Sequence, residues 1–415
     1  MSAIIDYRGK SPTKTTSGIP LVTAKIVKGG RIGEPDEFIS EADYSEWMRR
    51  GIPELGDVVM TTEAPLGEVA QLDDRRVALA QRLITLRGKP ELLDNGFLRY
   101  LLQSEFVQDQ LHSRATGTTV FGIRQSELRK VGLLLHPLAE QRAIAAVLGA
   151  LDDKIELNRR MNATLEGLAR ALFKAWFVDF EPVRAKMAGR PTGLPAEIDA
   201  LFPDEMEMGE EGVERPRGWR VGRLGDVAEN PRRGVQPENI EPDTPYIALE
   251  HMPRKSITLN DWGTADDLAS NKYEFLKGEI LFGKLRPYFH KVGVAPLDGV
   301  CSTDILVIQP REDSWFGFVL GHVSSVELID HTTALSTGTK MPRTNWQDIA
   351  SYQVILPPTG IAAAFTELVN DFVARIQVNI EESRTLAALR DGLLPKLMAG
   401  EVRVNQVEEA IADVL

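Results

Sequence analysis

Two short, hydroxyl-rich turns are the places in this chain best suited to gripping an anion. Thr116-Gly117-Thr118-Thr119 precedes Arg124, and Ser336-Thr337-Gly338-Thr339-Lys340 precedes Arg343. A glycine flanked by threonines offers backbone N–H groups and hydroxyls at close range, which suits a phosphate. An Arg or Lys alongside adds charge, or a two-pronged grip on guanine. The alternative is a plain glycine-centred turn, but recurrence at one offset before similar strands favours binding. Further loop candidates are Arg8, Lys10, Lys25, Lys28 and Arg31 in the first part of the chain. In the second they are Arg232, Arg233, Lys284, Arg286, Tyr288, His290 and Lys291. Residues 284–291 interleave cations with aromatic rings, a pattern suited to bases and phosphates. Taken singly, each could equally be a surface cation.

Bond-making chemistry leaves no comparable mark. The sequence has no phosphate loop of the G-x-x-x-x-G-K-[ST] kind and no strand-linked G-x-G-x-x-G. It has no G-x-S-x-G elbow. The six histidines lack metal-pair spacing, and a single cysteine, Cys301, forms no zinc set. Cys301 lies in an apolar run and reads as a packed small hydrophobe. Pro-Asp pairs at 35, 203 and 242 lack the downstream acid-x-Lys of a nuclease core, and Asn230-Pro231-Arg232-Arg233 is not an adenine-methyltransferase loop. Asp152-Asp153 reads as a solvated helix face. No catalytic residue and no metal ligand is assigned.

The net charge of −12 over 415 residues counts against a simple nucleic-acid binder. Acid is concentrated in residues 203–214 and along two long helices, however, and 230–234 and 283–293 contain none. A net value can therefore conceal local basic faces. No apolar run reaches the ~20 residues that span a bilayer, and the lone cysteine suits a reducing compartment. A cytoplasmic location is expected.

What must position these loops is an internal duplication. Residues 137–178 read as one amphipathic helix, and 357–399 repeat it at an offset of 221. Ile144, Leu148, Leu151, Ile155, Leu165, Leu168 and Leu172 fall on Phe365, Val369, Phe372, Ile376, Leu386, Leu389 and Leu393. Steps of three and four make this the seam of a helix packed lengthwise on a partner. Asn158 falls on Asn379 within the seam, and Asn162 on Ser383; polar seam residues fix register at a cost in stability. A helix of about 40 residues reaches ~60 Å, enough to space two heads if the pair runs antiparallel.

The heads repeat too, less regularly. Leu83–Arg87 and the VGLLLHP run at 131–137 read as strands, and Asp94 or Asn95 opens a helix. Matching Arg8-Gly9 to Arg233-Gly234 puts the counterpart of Gly218–Asp226 at or before residue 1, so the first head is expected to lack its opening strand. The expected division is a first head at 1–137, a long helix at 138–180 and a surface connector at 181–215. A second head follows at 216–358, then a long helix at 359–400 and a tail at 401–415. The fold class is α+β: two mixed α/β domains separated by two long antiparallel coiled-coil helices, with pseudo-two-fold repetition.

Five stretches stand out at set places in this plan: Leu138-Ala-Glu-Gln-Arg-Ala-Ile144, Leu172-Phe-Lys-Ala-Trp-Phe177, Gly218-Trp219 with Leu224-Gly225-Asp226-Val227, Ser302-Thr303-Asp304, and Leu393-Leu-Pro-Lys-Leu-Met-Ala-Gly400. In these stretches and in its architecture the chain resembles the specificity subunit of type I restriction–modification systems. One departure is Pro358-Thr-Gly-Ile361, which lacks the Glu-Gln-Arg of the first helix. The resemblance implies two target-recognition domains, each reading one half of a split, asymmetric site in double-stranded DNA. It implies helices that set the gap and dock two methyltransferase subunits, which carry S-adenosylmethionine. Restriction (translocase) subunits would bring ATP and Mg. No cofactor, no catalysis and no membrane is expected of this chain. The competing reading is a non-enzymatic coiled-coil scaffold with two protein-binding heads.

Overall fold

The computed structural model describes residues 1–7, 11–73, 76–210, 212–266, 268–338 and 340–411. Its contacts divide into two units, Met1–Ile155 with Thr385–Leu415, and Glu156–Arg384. The long helices, Leu138–Phe177 and Thr359–Ala399, each contribute to both. Early turns of one helix pack with late turns of the other inside each unit, so the pair is antiparallel.

In the first unit an antiparallel four-stranded sheet runs in the order Ala3–Asp6, Leu83–Arg87, Val58–Thr62, Leu66–Gln71. The two central strands, Val58–Thr62 and Leu83–Arg87, are buried on both faces, which explains their lack of apolar–polar alternation. Val58, Met60, Ile84 and Leu86 face a core completed by Phe97, Leu101, Ile144, Leu148, Leu386 and Leu397. Val59, Ala70 and Leu83 face the other core, with Leu21 and Val22 of a second sheet. There Ile19–Val22 pairs antiparallel with Phe38–Ile39 and parallel with Ala78–Leu79.

The second unit repeats this plan. Ala228–Glu229, Ile305–Pro310, Ile280–Gly283 and Val292–Val294 form the same antiparallel order. Ile280, Phe282, Leu306 and Ile308 face the helix-bearing core, and Leu281, Ile305 and Val307 the other. Cys301 is wholly buried, and burial pushes its thiol up to about 12. It packs and is not a nucleophile.

The helix seam carries its polar interruption as a paired layer. Asn158 Nδ2 donates to Glu382 (2.7 Å) and Ser383 (3.2 Å), and Asn379 Nδ2 donates to Asn162 Oδ1 (2.7 Å). Four steps forward on one helix match four steps back on the other, so the layer obeys the repeat's own two-fold logic. Ile144, Leu148, Leu151, Phe365, Val369, Ile376 and Leu386 are buried, and Ile155, Leu165, Leu172, Leu389 and Leu393 are partly buried against the cores. Two seam expectations fail. Leu168 is 48% exposed, and Val373 is buried where Phe372 is only half-buried. At about 100° per residue, Leu168 is turned about 240° from Asn162. Glu166, Phe173 and Trp176 occupy the inner face instead, and Glu166 accepts bonds from Ser256 and from Thr258 N (2.7 and 3.1 Å).

Four other expectations are corrected. Asp152 is not solvated: it accepts from Arg99, from Tyr100 (2.7 Å) and from Arg390 (2.6 Å). The connector is not bare surface, because Val183 and Phe202 enter the second unit's core beside Trp176, Phe180 and Trp219. Beyond residue 400 the chain folds back, and Val404 and Val407 join the first unit's core. Finally, residues 131–136 are not a strand. Their counterpart, Gln353–Leu356, is paired with Arg220–Arg223. No described residue offers the first head that partner, and Leu134 and Leu135 are exposed.

His322 is buried among Phe173, Phe318 and Tyr352, with Nε2 unbonded. Burial pushes its pKa from 6.5 down to about 3. Below about 6.5 the unfolded chain therefore takes up a proton that the folded chain refuses, and stability declines as pH falls towards about 3. Between about pH 7 and pH 5, above most carboxylate titration, the urea midpoint is expected to drop. His322→Leu should flatten that slope; an unchanged slope would show that another group controls it.

Candidate nucleic-acid interface

Both threonine-glycine turns are closed by the same pair of backbone bonds. Thr116 N donates to Gly122 O (2.9 Å) and Gly122 N to Thr116 O (3.0 Å); Thr337 and Arg343 exchange the same bonds at 3.1 and 3.0 Å. Gly117 and Gly338 take φ of +133° and +102°. An added Cβ at Gly117 would stand 2.0 Å from Val120 O, so a side chain there cannot fit. Val120, Phe121 and Met341 are exposed at the tips, where apolar atoms can meet a thymine methyl.

Each turn is hung on the central sheet in the same way. Ile123 N donates to Thr62 O (3.0 Å) and Thr62 N to Arg82 O (2.8 Å). In the second head Thr344 N donates to Lys284 O (3.1 Å) and Lys284 N to Asp304 O (2.9 Å). The frame is thus repeated bond for bond, while the side chains on it differ. In the first head a cavity of about 470 Å³ is lined by Glu63, Gln81, Arg82, Thr116 and Arg124, among others. Arg82 pairs with Glu63 at 3.8 Å. In the second head Arg343 Nε pairs with Asp304 at 3.1 Å, and Arg286 Nη2 donates to Lys340 O (3.3 Å).

The structure therefore gathers Thr116, Thr118, Thr119 and Arg124 at one site, and Lys284, Arg286, Thr337, Lys340 and Arg343 at the other. Arg8, Lys10 and Thr339 lie outside the described residues. Lys28 and Arg31 stand on a separate hairpin, Val27–Lys28 with Arg31–Ile32, which meets the sheet at Ala70. Lys25 is paired with Asp36 (2.6 Å). Arg232 is exposed with φ +50°, and Tyr288 is exposed against Phe289.

Three candidates are turned to internal work. Arg233 pairs with the buried carboxylate of Glu279. His290 is buried, with Nε2 2.9 Å from Ser324 O, and burial lowers its pKa despite that contact. Lys291 bonds the carbonyl of Leu249, and burial lowers its pKa also. In each case a short loop folds a long side chain back onto the body, which a pattern of residue types does not reveal. Sequence reading missed Glu63, Gln81 and Arg82. The available signal was the repeat alignment, which sets Gln81-Arg82 on Thr303-Asp304.

Residues 12–167 match the family described as the type I restriction modification DNA specificity domain. The type I restriction enzyme MjaIX specificity subunit of Methanocaldococcus jannaschii is 27% identical over 406 residues, covering 94% of this chain and 88% of that protein. Residues 12–167 thus carry the specificity domain of type I restriction–modification systems, and the chain is similar along most of its length to their specificity subunits. The EcoDI specificity subunit of Escherichia coli is another relative, 25% identical over 345 residues and covering 75% of both chains. The crystal structure of the type I restriction–modification S subunit from M. genitalium shares the fold, with a TM-score of 0.51, 16% identity, and coverage of 95% of this chain and 90% of that one. The specificity-subunit architecture of two mixed heads and two long antiparallel helices is the one expected from the sequence. No described helix is long and apolar enough to cross a membrane, and no described acid, His or Cys cluster could hold a metal.

Proposed function

We propose that this specificity subunit selects the DNA sequence for a type I restriction–modification assembly, with each head reading one half of a split, asymmetric site. The observation that carries the reading is the repeated backbone frame at the two turns, bearing different side chains in each head. A frame repeated bond for bond sets two readers on one DNA geometry; unlike side chains give them unlike targets. The helix pair would dock two methyltransferase subunits, set the gap between half-sites and, with restriction subunits, complete the assembly. S-adenosylmethionine, ATP and Mg would belong to those partners. Phosphate-facing charge from the partners would offset the acidity of this chain.

The test is to co-express the chain with its methyltransferase subunit and map adenine methylation across the genome. A motif of two short specific halves around a fixed gap is the expected result. A contiguous motif, or none from a demonstrably assembled complex, would sink the two-reader reading and favour a scaffold whose heads bind protein.

A further inference from the structure

We infer that base choice in each head is set by the side chains on four frame positions: Thr62, Glu63, Arg82 and Gly122 in the first, Lys284, Leu285, Asp304 and Arg343 in the second. The inference rests on the two-reader function and names its specificity determinants. The correspondence is structural. Glu63 bridges Gly122 as Leu285 bridges Arg343, and the strand bonds of Thr62 to Arg82 recur between Lys284 and Asp304. At these matched points the charges are rearranged. The first head carries its cation at the strand end, Arg82, opposed by Glu63 at 3.8 Å. The second places an anion, Asp304, at that strand end and its cation, Arg343, on the returning arm of the turn, 3.1 Å away.

The first pair is long, at 3.8 Å, the second is a single hydrogen bond at 3.1 Å, and the arginine of each is half-exposed, with 51% and 49% of the Arg82 and Arg343 side chains accessible. Exposed pairs of this kind contribute little to folding, so each partner is free to exchange the other for a base edge. An arginine then meets guanine O6 and N7, and a carboxylate accepts from the cytosine amino group. Arg82 carries a second sign of function. It is held at φ +75°, a conformation unfavourable to any residue with a Cβ, and its half-exposed side chain buries too little to account for it. Strain of this kind gathers at sites that bind. The Thr-Gly-Thr turns, common to both heads, would grip phosphate and carry no sequence information.

The experiment uses the whole chain assembled with its methyltransferase subunit. Glu63→Leu, Arg82→Asp and Gly122→Arg together place the second head's residues on three of the four positions in the first, Thr62 being left because it is buried; Gly122 has an ordinary φ, and the nearest obstacle to a Cβ is the flexible side chain of Glu63 at 3.3 Å. One half of the methylated motif should change, with the other half and the gap retained. An unchanged motif, or changes in both halves, would overturn the assignment. Should the triple variant fail to assemble, Arg82→Gln alone decides, read by competition with duplexes substituted at each motif position. Discrimination at one base pair of one half should relax by roughly 5- to 150-fold, and Arg343→Gln should do the same in the other half. A split wild-type motif read with undiminished discrimination by both single variants refutes the assignment and leaves the two-reader function standing. A contiguous wild-type motif removes both.

Discussion

Replacing Trp176 by alanine should lower the stability of the second unit by about 3–5 kcal/mol. Trp176 is only 1% exposed and is the point where three segments meet. It packs edge-on against Phe202 of the connector (5.0 Å), tilted against Phe365 of the second long helix (5.5 Å), and beside its neighbour Phe177 (6.2 Å). Phe177 continues the aromatic cluster to Phe318 and Trp219. Removing the indole leaves a cavity bounded by rings fixed on separate elements, which cannot close together. Urea unfolding followed by circular dichroism is the measurement. A midpoint within error of the parent chain would show that the helix ends are not held by this cluster. Trp176→Phe, which retains most of the packing, should cost far less.

An effect of similar size is expected at Asp152 in the first unit. Its two oxygens serve three donors: Arg99 and Tyr100 of the head's helix, and Arg390 of the second long helix. Side-chain exposures of 13%, 15% and 22% for Asp152, Arg99 and Arg390 put the pairs largely out of water. Asp152→Ala would leave Arg99 without its carboxylate and Arg390 with only the exposed Asp391, 2.8 Å away. Breaking a buried pair by removing one partner costs about 3–5 kcal/mol, mostly as the penalty of the charge left behind. Hydrogen exchange should show faster opening of Asn95–Gln103 together with residues 385–399. Unchanged protection in both would mean that the apolar contacts suffice without the ion cluster. Asp152→Asn keeps an acceptor and should fall between.

The parts legible in the sequence were those governed by a period. Three- and four-residue steps disclosed both long helices, and the matching of Asn158 to Asn379 and Asn162 to Ser383 anticipated a layer the structure pairs across the seam. The buried strand Leu83–Arg87 and the cap at Asp94, which accepts from Phe97 N (3.1 Å), were readable for the same local reasons. What failed depended on a partner. Residues 131–136 have strand composition, but a strand needs a neighbour, which Gln353–Leu356 has in Arg220–Arg223. Leu168 is apolar yet outward, because Glu166 finds Ser256 and Thr258 and takes the inner place. Likewise the paired turns of the candidate site were visible where glycine and threonine mark them. Arg82 was not, because its place beside the turn comes from a frame that only the folded repeat discloses.

The unequal make-up of the two units bears on the order of events during synthesis. The second unit is one continuous stretch, Glu156–Arg384, and needs nothing translated after it to complete its core. The first is interrupted: Leu386, Leu397, Met398, Val404 and Val407 belong to the same core as Phe97 and Ile144. At about 5–20 residues per second, the apolar face awaiting them stays uncovered for ~10–50 s after residue 155 is made. The head translated first is thus the last to be finished, and nascent-chain holdases have their longest window on the face of Ile144, Leu148 and Leu151.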